Sequence, residues 1–154
     1  MTEQSSTGWH VLPPVYFLAA LIAMACLHYE LPGAQIVGTP LRYAGVVLIV
    51  AGLGLVSWAA LLFHRAGTAI RPFQVSTALV AEGPYRVTRN PMYLSMTVIL
   101  LGTAILLGSA TPFVVVPVFA VLIQWRFIRM EEGALEAKFG QAYRHYKAGV
   151  RRWL

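Results

Sequence analysis

Two short polar stretches stand out against a greasy chain. One is Gly83-Pro84-Tyr85-Arg86 followed by Arg89-Asn90-Pro91-Met92-Tyr93; the other is Glu131-Glu132 followed by Phe139-Gly140-Gln141-Ala142-Tyr143. Their residue types suit a small ligand that carries several charges. Backbone N–H groups at a helix start near Pro91, with Arg86 and Arg89 beside them, favour an anionic group such as a carboxylate. A glutamate favours an ammonium or accepts hydrogen bonds from ribose hydroxyls, and tyrosine faces attract cations, including a sulfonium. Each residue also has a plain structural explanation. Arginines flank membrane spans, Asn90-Pro91 reads as a helix cap with proline at the first helical position, and Glu131 or Glu132 can pair with Arg126 or Arg129 one turn earlier. The joint pattern is what those explanations leave unexplained.

The elements that must position these residues are membrane helices. The chain has 154 residues, is 58% apolar and 12% charged, and has a mean hydropathy of +0.65. Soluble domains carry about 25% charged residues. Apolar runs cover residues 11–27, 43–63, 91–108 and 110–125. Runs of this size reach roughly 24–32 Å as helices, near the thickness of a bilayer core. They lack the alternation of barrel strands, and only helices or closed barrels cross lipid. The expectation is an all-α integral membrane protein: one domain over 1–154, four transmembrane helices and a C-terminal cytoplasmic tail over 126–154. Pro117 is expected to kink the last span. Ala19 and Ala23, with Gly45, Gly52 and Gly54, suit close helix packing.

Charge sets the orientation. The 12 Lys and Arg against 6 acidic residues give a net charge of +6. Arg65, Arg71, Arg86 and Arg89 lie between the second and third spans, and seven more basic residues follow the fourth. This bias predicts cytoplasmic termini and a cytoplasmic middle loop, with basic residues on anionic lipid headgroups. The basic residues are not interleaved with aromatics in any nucleic-acid-binding pattern. Residues 1–10 hold no Lys or Arg, so no secretory signal is expected and the first run reads as a retained span. Cys26, a lone thiol in an apolar run, reads as a buried small hydrophobe with no disulfide framework. His10, His28, His64 and His145 lack metal-ligand spacing, so no metal is expected.

In the tail, Leu135, Phe139, Tyr143, Tyr146 and Val150 recur every three or four residues, an amphipathic stripe that Gly140 should divide into two short helices. Such a tail can fold back over the middle loop and bring the two polar stretches together. S-adenosylmethionine carries a carboxylate, an ammonium, a ribose diol and a sulfonium, so it matches the combined set; ATP or a lipid headgroup matches parts of it.

The run from Thr77 through Tyr85, then Arg89-Asn90-Pro91-Met92-Tyr93, then Glu131-Glu132 with Phe139-Gly140 and Tyr143, resembles the isoprenylcysteine carboxyl methyltransferase family, which is related to the membrane phospholipid methyltransferases. The resemblance covers residues 66–154. It implies an integral-membrane methyltransferase that uses S-adenosylmethionine on a lipophilic or small acceptor, in a prokaryotic cytoplasmic membrane. It also implies a cofactor site formed by Leu79, Val80, Tyr85, Arg89, Asn90, Pro91, Met92, Tyr93, Glu131 and Glu132, with Arg126 or Arg129 orienting the acceptor. Asn90 departs from the family's usual histidine; it can cap a helix and bind a ligand but cannot shuttle a proton. The competing functions are a non-catalytic accessory protein, an NADPH-dependent membrane reductase, which the short chain disfavours, and a small drug exporter, which lacks its glutamate inside the first span.

Overall fold

The computed structural model describes residues 12–67 and 79–154. The start of the first apolar run at Val11, His10, Arg71 and the Thr77-Ala78 end of the motif lie outside them. Among the described residues the chain is helical, with α1 over Pro13–Glu30, α2 over Tyr43–Arg65, a 3-10 turn over Gly83–Arg86, and α3 over Pro91–Leu107. Then come α4 over Pro112–Ile123, a π-helical turn over Gln124–Ile128, α5 over Arg129–Phe139 and α6 over Gln141–Gly149. Prolines open α1, α3 and α4, where a missing N–H costs nothing and the fixed φ is already helical.

Among the described residues, three helices are long and apolar enough to cross a membrane: Pro13–Glu30, Tyr43–Arg65 and the continuous Pro112–Phe139. The third expected span is α3, apolar but only 17 residues long. The fourth differs from its expected 110–125 limits. Helix continues through Pro117 and on to Phe139, its irregularity falling at the π turn. Its 28 residues span about 42 Å at ~1.5 Å each, so the helix outruns a bilayer core of about 30 Å.

Helices α1, α3 and α4 enclose the core, where Met24, Leu100, Ala104, Phe119, Ile123 and Phe127 are buried. Tyr16 meets Phe127 edge-on at 5.3 Å, and Phe17 meets Phe119 at 6.2 Å between ring centroids. Helix α2 lies against α3 with backbones in direct approach: a Cβ on Gly45 would collide with the Gly102 carbonyl. Close approach through small residues is how helices associate where lipid removes the hydrophobic drive. The other expected small positions behave differently. Gly54 has nothing near it; Cys26, expected to be buried, is exposed on the outer face of α1, and α1 buries Ala20 and Met24 while Ala19 and Ala23 stay exposed. One residue turns a helix by about 100°, enough to move the packing stripe off both alanines.

The α3–α4 connection docks on the chain between α1 and α2. Ile36 and Val37 donate their amides to the Gly108 carbonyl, and Ala110 donates to Ala34. His28 Nδ1 and Ser109 Oγ are 2.7 Å apart. The opposite end of the bundle gathers the 3-10 turn, the start of α3, and helices α5 and α6.

Candidate functional site

Glu131 and Glu132 occupy the first turn of α5. Neighbours on a helix point about 100° apart, so the two carboxylates go to different partners. Glu131 Oε1 accepts a 2.6 Å hydrogen bond from the Tyr93 hydroxyl. Its Oε2 makes no bond to any described residue. Glu132 is buried between two guanidinium groups. Arg89 Nη2 donates to Oε1 at 2.9 Å, while Arg152 gives Nε to Oε1 at 3.0 Å and Nη2 to Oε2 at 2.6 Å. A buried carboxylate needs such partners, because the cost of taking it out of water exceeds what one weak contact returns. The bond to Glu132 also holds Arg152 more firmly protonated than usual.

Arg89 does a second task. Its Nη1 donates to the carbonyls of Lys147 and Val150, at 2.9 and 3.0 Å. These lie in the last turn of α6 and just past it, where helix carbonyls lack partners and a cation is favoured. Its Nε is buried without a partner. The amphipathic stripe folds as expected into two helices divided at Gly140, whose φ of 50° suits a residue without Cβ. This break turns α6 back over the 83–93 segment. Tyr143 is buried, and the Tyr146 hydroxyl donates to the Tyr85 carbonyl at 2.7 Å. Burial, then the Glu132 carboxylate, pushes the Tyr143 hydroxyl up to about 12. Burial, then Tyr143, pushes Tyr146 up to about 12. Burial, then Tyr146 and Glu131, raises Tyr85 well beyond the ordinary range. All three phenols are therefore neutral near pH 7 and act as hydrogen-bonding and aromatic walls.

After α6 the chain returns as an extended strap. Thr88 pairs with Arg151 in a parallel bridge, and the Arg89 amide donates to the Arg151 carbonyl at 2.9 Å. The Arg152 carbonyl accepts from Thr88 Oγ1 at 3.1 Å and from Asn90 Nδ2 at 3.0 Å. Trp153 Nε1 reaches Gln124 Oε1 in the π turn at 2.8 Å, a helical irregularity of the kind frequent at functional sites.

The structure thus brings Tyr93 to Glu131, Arg89 to Glu132, and Tyr85 to the tail. Asn90 occupies the N-cap position of α3 and Pro91 the first turn, but the Asn90 side chain does not cap the helix; it spends its donor on Arg152. Met92, Leu79 and Val80 are half-buried. Arg126 and Arg129 stand apart on the exposed side of their helix, Arg129 3.5 Å from the Trp125 ring centroid and Arg126 5.5 Å from that of Phe127. Neither pairs with Glu131 or Glu132, since those carboxylates turn inward toward α3 and the strap. Arg152, Trp153 and Gln124 went unmarked in the sequence. The available signal was that a glutamate pair at the end of an apolar helix must find cations, and Arg151-Arg152 follow the tail's last helix.

A family model described as phospholipid methyltransferase matches residues 41–142. The chain is also similar to an uncharacterized protein of Haemophilus influenzae, 46% identical over 63 residues, which are 41% of this chain and all of that protein.

Proposed function

The chain belongs to the phospholipid methyltransferase family, to which the isoprenylcysteine carboxyl methyltransferases are related, and from that premise we propose that it transfers a methyl group from S-adenosylmethionine to a lipophilic or small acceptor. The observation that carries this reading is the Tyr93–Glu131 bond, with the second carboxylate oxygen unbonded among the described residues. The donor set fits the cofactor. Glu131 Oε2 suits an ammonium or a ribose hydroxyl, the Tyr85 and Tyr93 rings suit a sulfonium, and the N–H groups opening α3 suit a carboxylate. Leu79, Val80 and Met92 supply apolar wall beside them. Arg89 and Glu132 support the site from behind through their ion pair.

When bound, S-adenosylmethionine supplies an activated methyl group with a good leaving group. What remains for the protein is to hold donor and acceptor in line and to keep water out. Tyr93 fixes the orientation of Glu131, and α6 with the strap roofs the 85–93 segment. Asn90 and the neutral tyrosines offer no strong base and leave Glu131 as the one candidate, which favours an acceptor that is already ionised. Arg126 and Arg129, exposed on their helix with Arg129 over Trp125, would meet the polar end of an acceptor that arrives through lipid. The accompanying topology is four spans, with α3 as the third, and both termini and the tail on the cytoplasmic side of a prokaryotic membrane.

Equilibrium binding of labelled S-adenosylmethionine to the protein in lipid nanodiscs tests the reading. Saturable binding is expected, weakened about 10- to 100-fold by Glu131→Gln, as loss of a charge-assisted hydrogen bond implies. A folded wild type that does not bind overturns it.

A further inference from the structure

The family match ends at residue 142, yet the strap beyond α6 makes several directed contacts with the Arg-Asn-Pro turn. Thr88, Arg89 and Asn90 each bond to Arg151 or Arg152. These contacts have a chemical consequence at Asn90. A carbonyl only accepts hydrogen bonds, so the group facing the Arg152 carbonyl must be the amide nitrogen of Asn90. Its Oδ1 then points away from the strap. That oxygen has no partner among the described residues and is not sealed from solvent. The same Arg152 neutralises Glu132 with two bonds from its guanidinium, and Trp153 pins the next residue to the π turn.

We infer that Arg152 is a positioning residue of the ligand site, holding the Asn90 amide so that Oδ1 is presented as a fixed acceptor for the amino-acid end of the cofactor. The inference rests on the S-adenosylmethionine reading and deepens it. It gives the two carboxylates separate roles: Glu132 anchors the strap, and Glu131 with Asn90 Oδ1 supplies the acceptors offered to the ligand. It also assigns a task to Asn90 where a histidine would do something else: an amide is one-sided, with a donor for the strap and an acceptor for the ligand.

The test compares two ligands, S-adenosylmethionine and methylthioadenosine, which keeps the nucleoside and sulfur but lacks the amino-acid end. Dissociation constants are measured by calorimetry for the full chain in nanodiscs, as wild type, Arg152→Gln and Arg152→Lys. Arg152→Gln is expected to weaken S-adenosylmethionine at least tenfold and methylthioadenosine less than twofold, with Arg152→Lys recovering part of the loss. A merely structural role would weaken both ligands alike or neither, and either result overturns the inference while leaving the cofactor reading intact. Should Arg152→Gln fail to fold, Asn90→Ala carries the comparison of the two ligands, since it removes the presented acceptor and should weaken S-adenosylmethionine at least tenfold and methylthioadenosine less than twofold. Wild type that binds neither ligand overturns the cofactor reading and the inference together.

Discussion

At the end of the bundle built from residues 28–42 and 108–111, segments meet through backbone amides and mostly neutral side chains. His28 faces Ser109, Thr111 Oγ1 donates to the Leu31 carbonyl at 2.7 Å, and Arg42 spends itself on Gln35 Oε1 and the Val37 carbonyl. At the other end, Arg89 and Arg152 converge on one buried carboxylate, while Glu131 Oε2 and Asn90 Oδ1 have no partner among the described residues. Both ends close a helical bundle. The first does so without a buried ion pair, and so behaves as a plug. The second maintains expensive buried charge and leaves acceptors over, an arrangement that stability alone does not require.

The comparison breaks most sharply at Glu132. Glu132→Ala leaves two guanidinium groups facing each other and should cost about 3–5 kcal/mol, the range for a buried pair that loses one member. Thermal unfolding in detergent and hydrogen exchange over residues 141–153 are the measurements; retained protection of the tail would refute the ion-pair anchor. A smaller effect is expected at the plug. Ser109→Ala should cost about 1–3 kcal/mol, because it strands the half-buried His28 nitrogen. Its affinity for S-adenosylmethionine should stay within about twofold of wild type, a change below ~0.5 kcal/mol. Loss of affinity there would erase the distinction between the two ends.

Alkaline pH should produce the mildest separation. Tyr143 and Tyr146 hold their protons to about 12 in the folded protein against an ordinary 10.0. Between those values the unfolded chain binds fewer protons than the folded one, so stability falls as pH rises. Protection of the tail amides should therefore decline from pH 10 toward 12, ahead of the segment over residues 34–37. Simultaneous decline at both ends would show that the tyrosines do not govern the tail.

Much of this protein was legible from local pattern. Apolar runs of 16 residues or more announce helices because the bilayer leaves few alternatives. Prolines at 91 and 112 and the glycine at 140 mark boundaries through backbone geometry that acts within a residue or two. The Arg-Asn-Pro turn and the glutamate pair pointed to a shared site by residue type alone. What sequence spacing misjudged was direction. The expected partners of the glutamates, Arg126 and Arg129, are one turn away, whereas the actual ones are 43 and 20 residues distant.

Composition and periodicity, then, determined the helices and marked the polar residues that stand out against them, since each of these depends on neighbours along the chain. Tertiary structure alone decided which carboxylate is spent on the tail and which meets Tyr93. It also decided that Asn90 turns its nitrogen to Arg152 and that the last residues pack on the Arg-Asn-Pro turn. These choices depend on donors and acceptors that meet only after α6 folds back, and hydrogen-bond partners so far apart leave no trace in local periodicity.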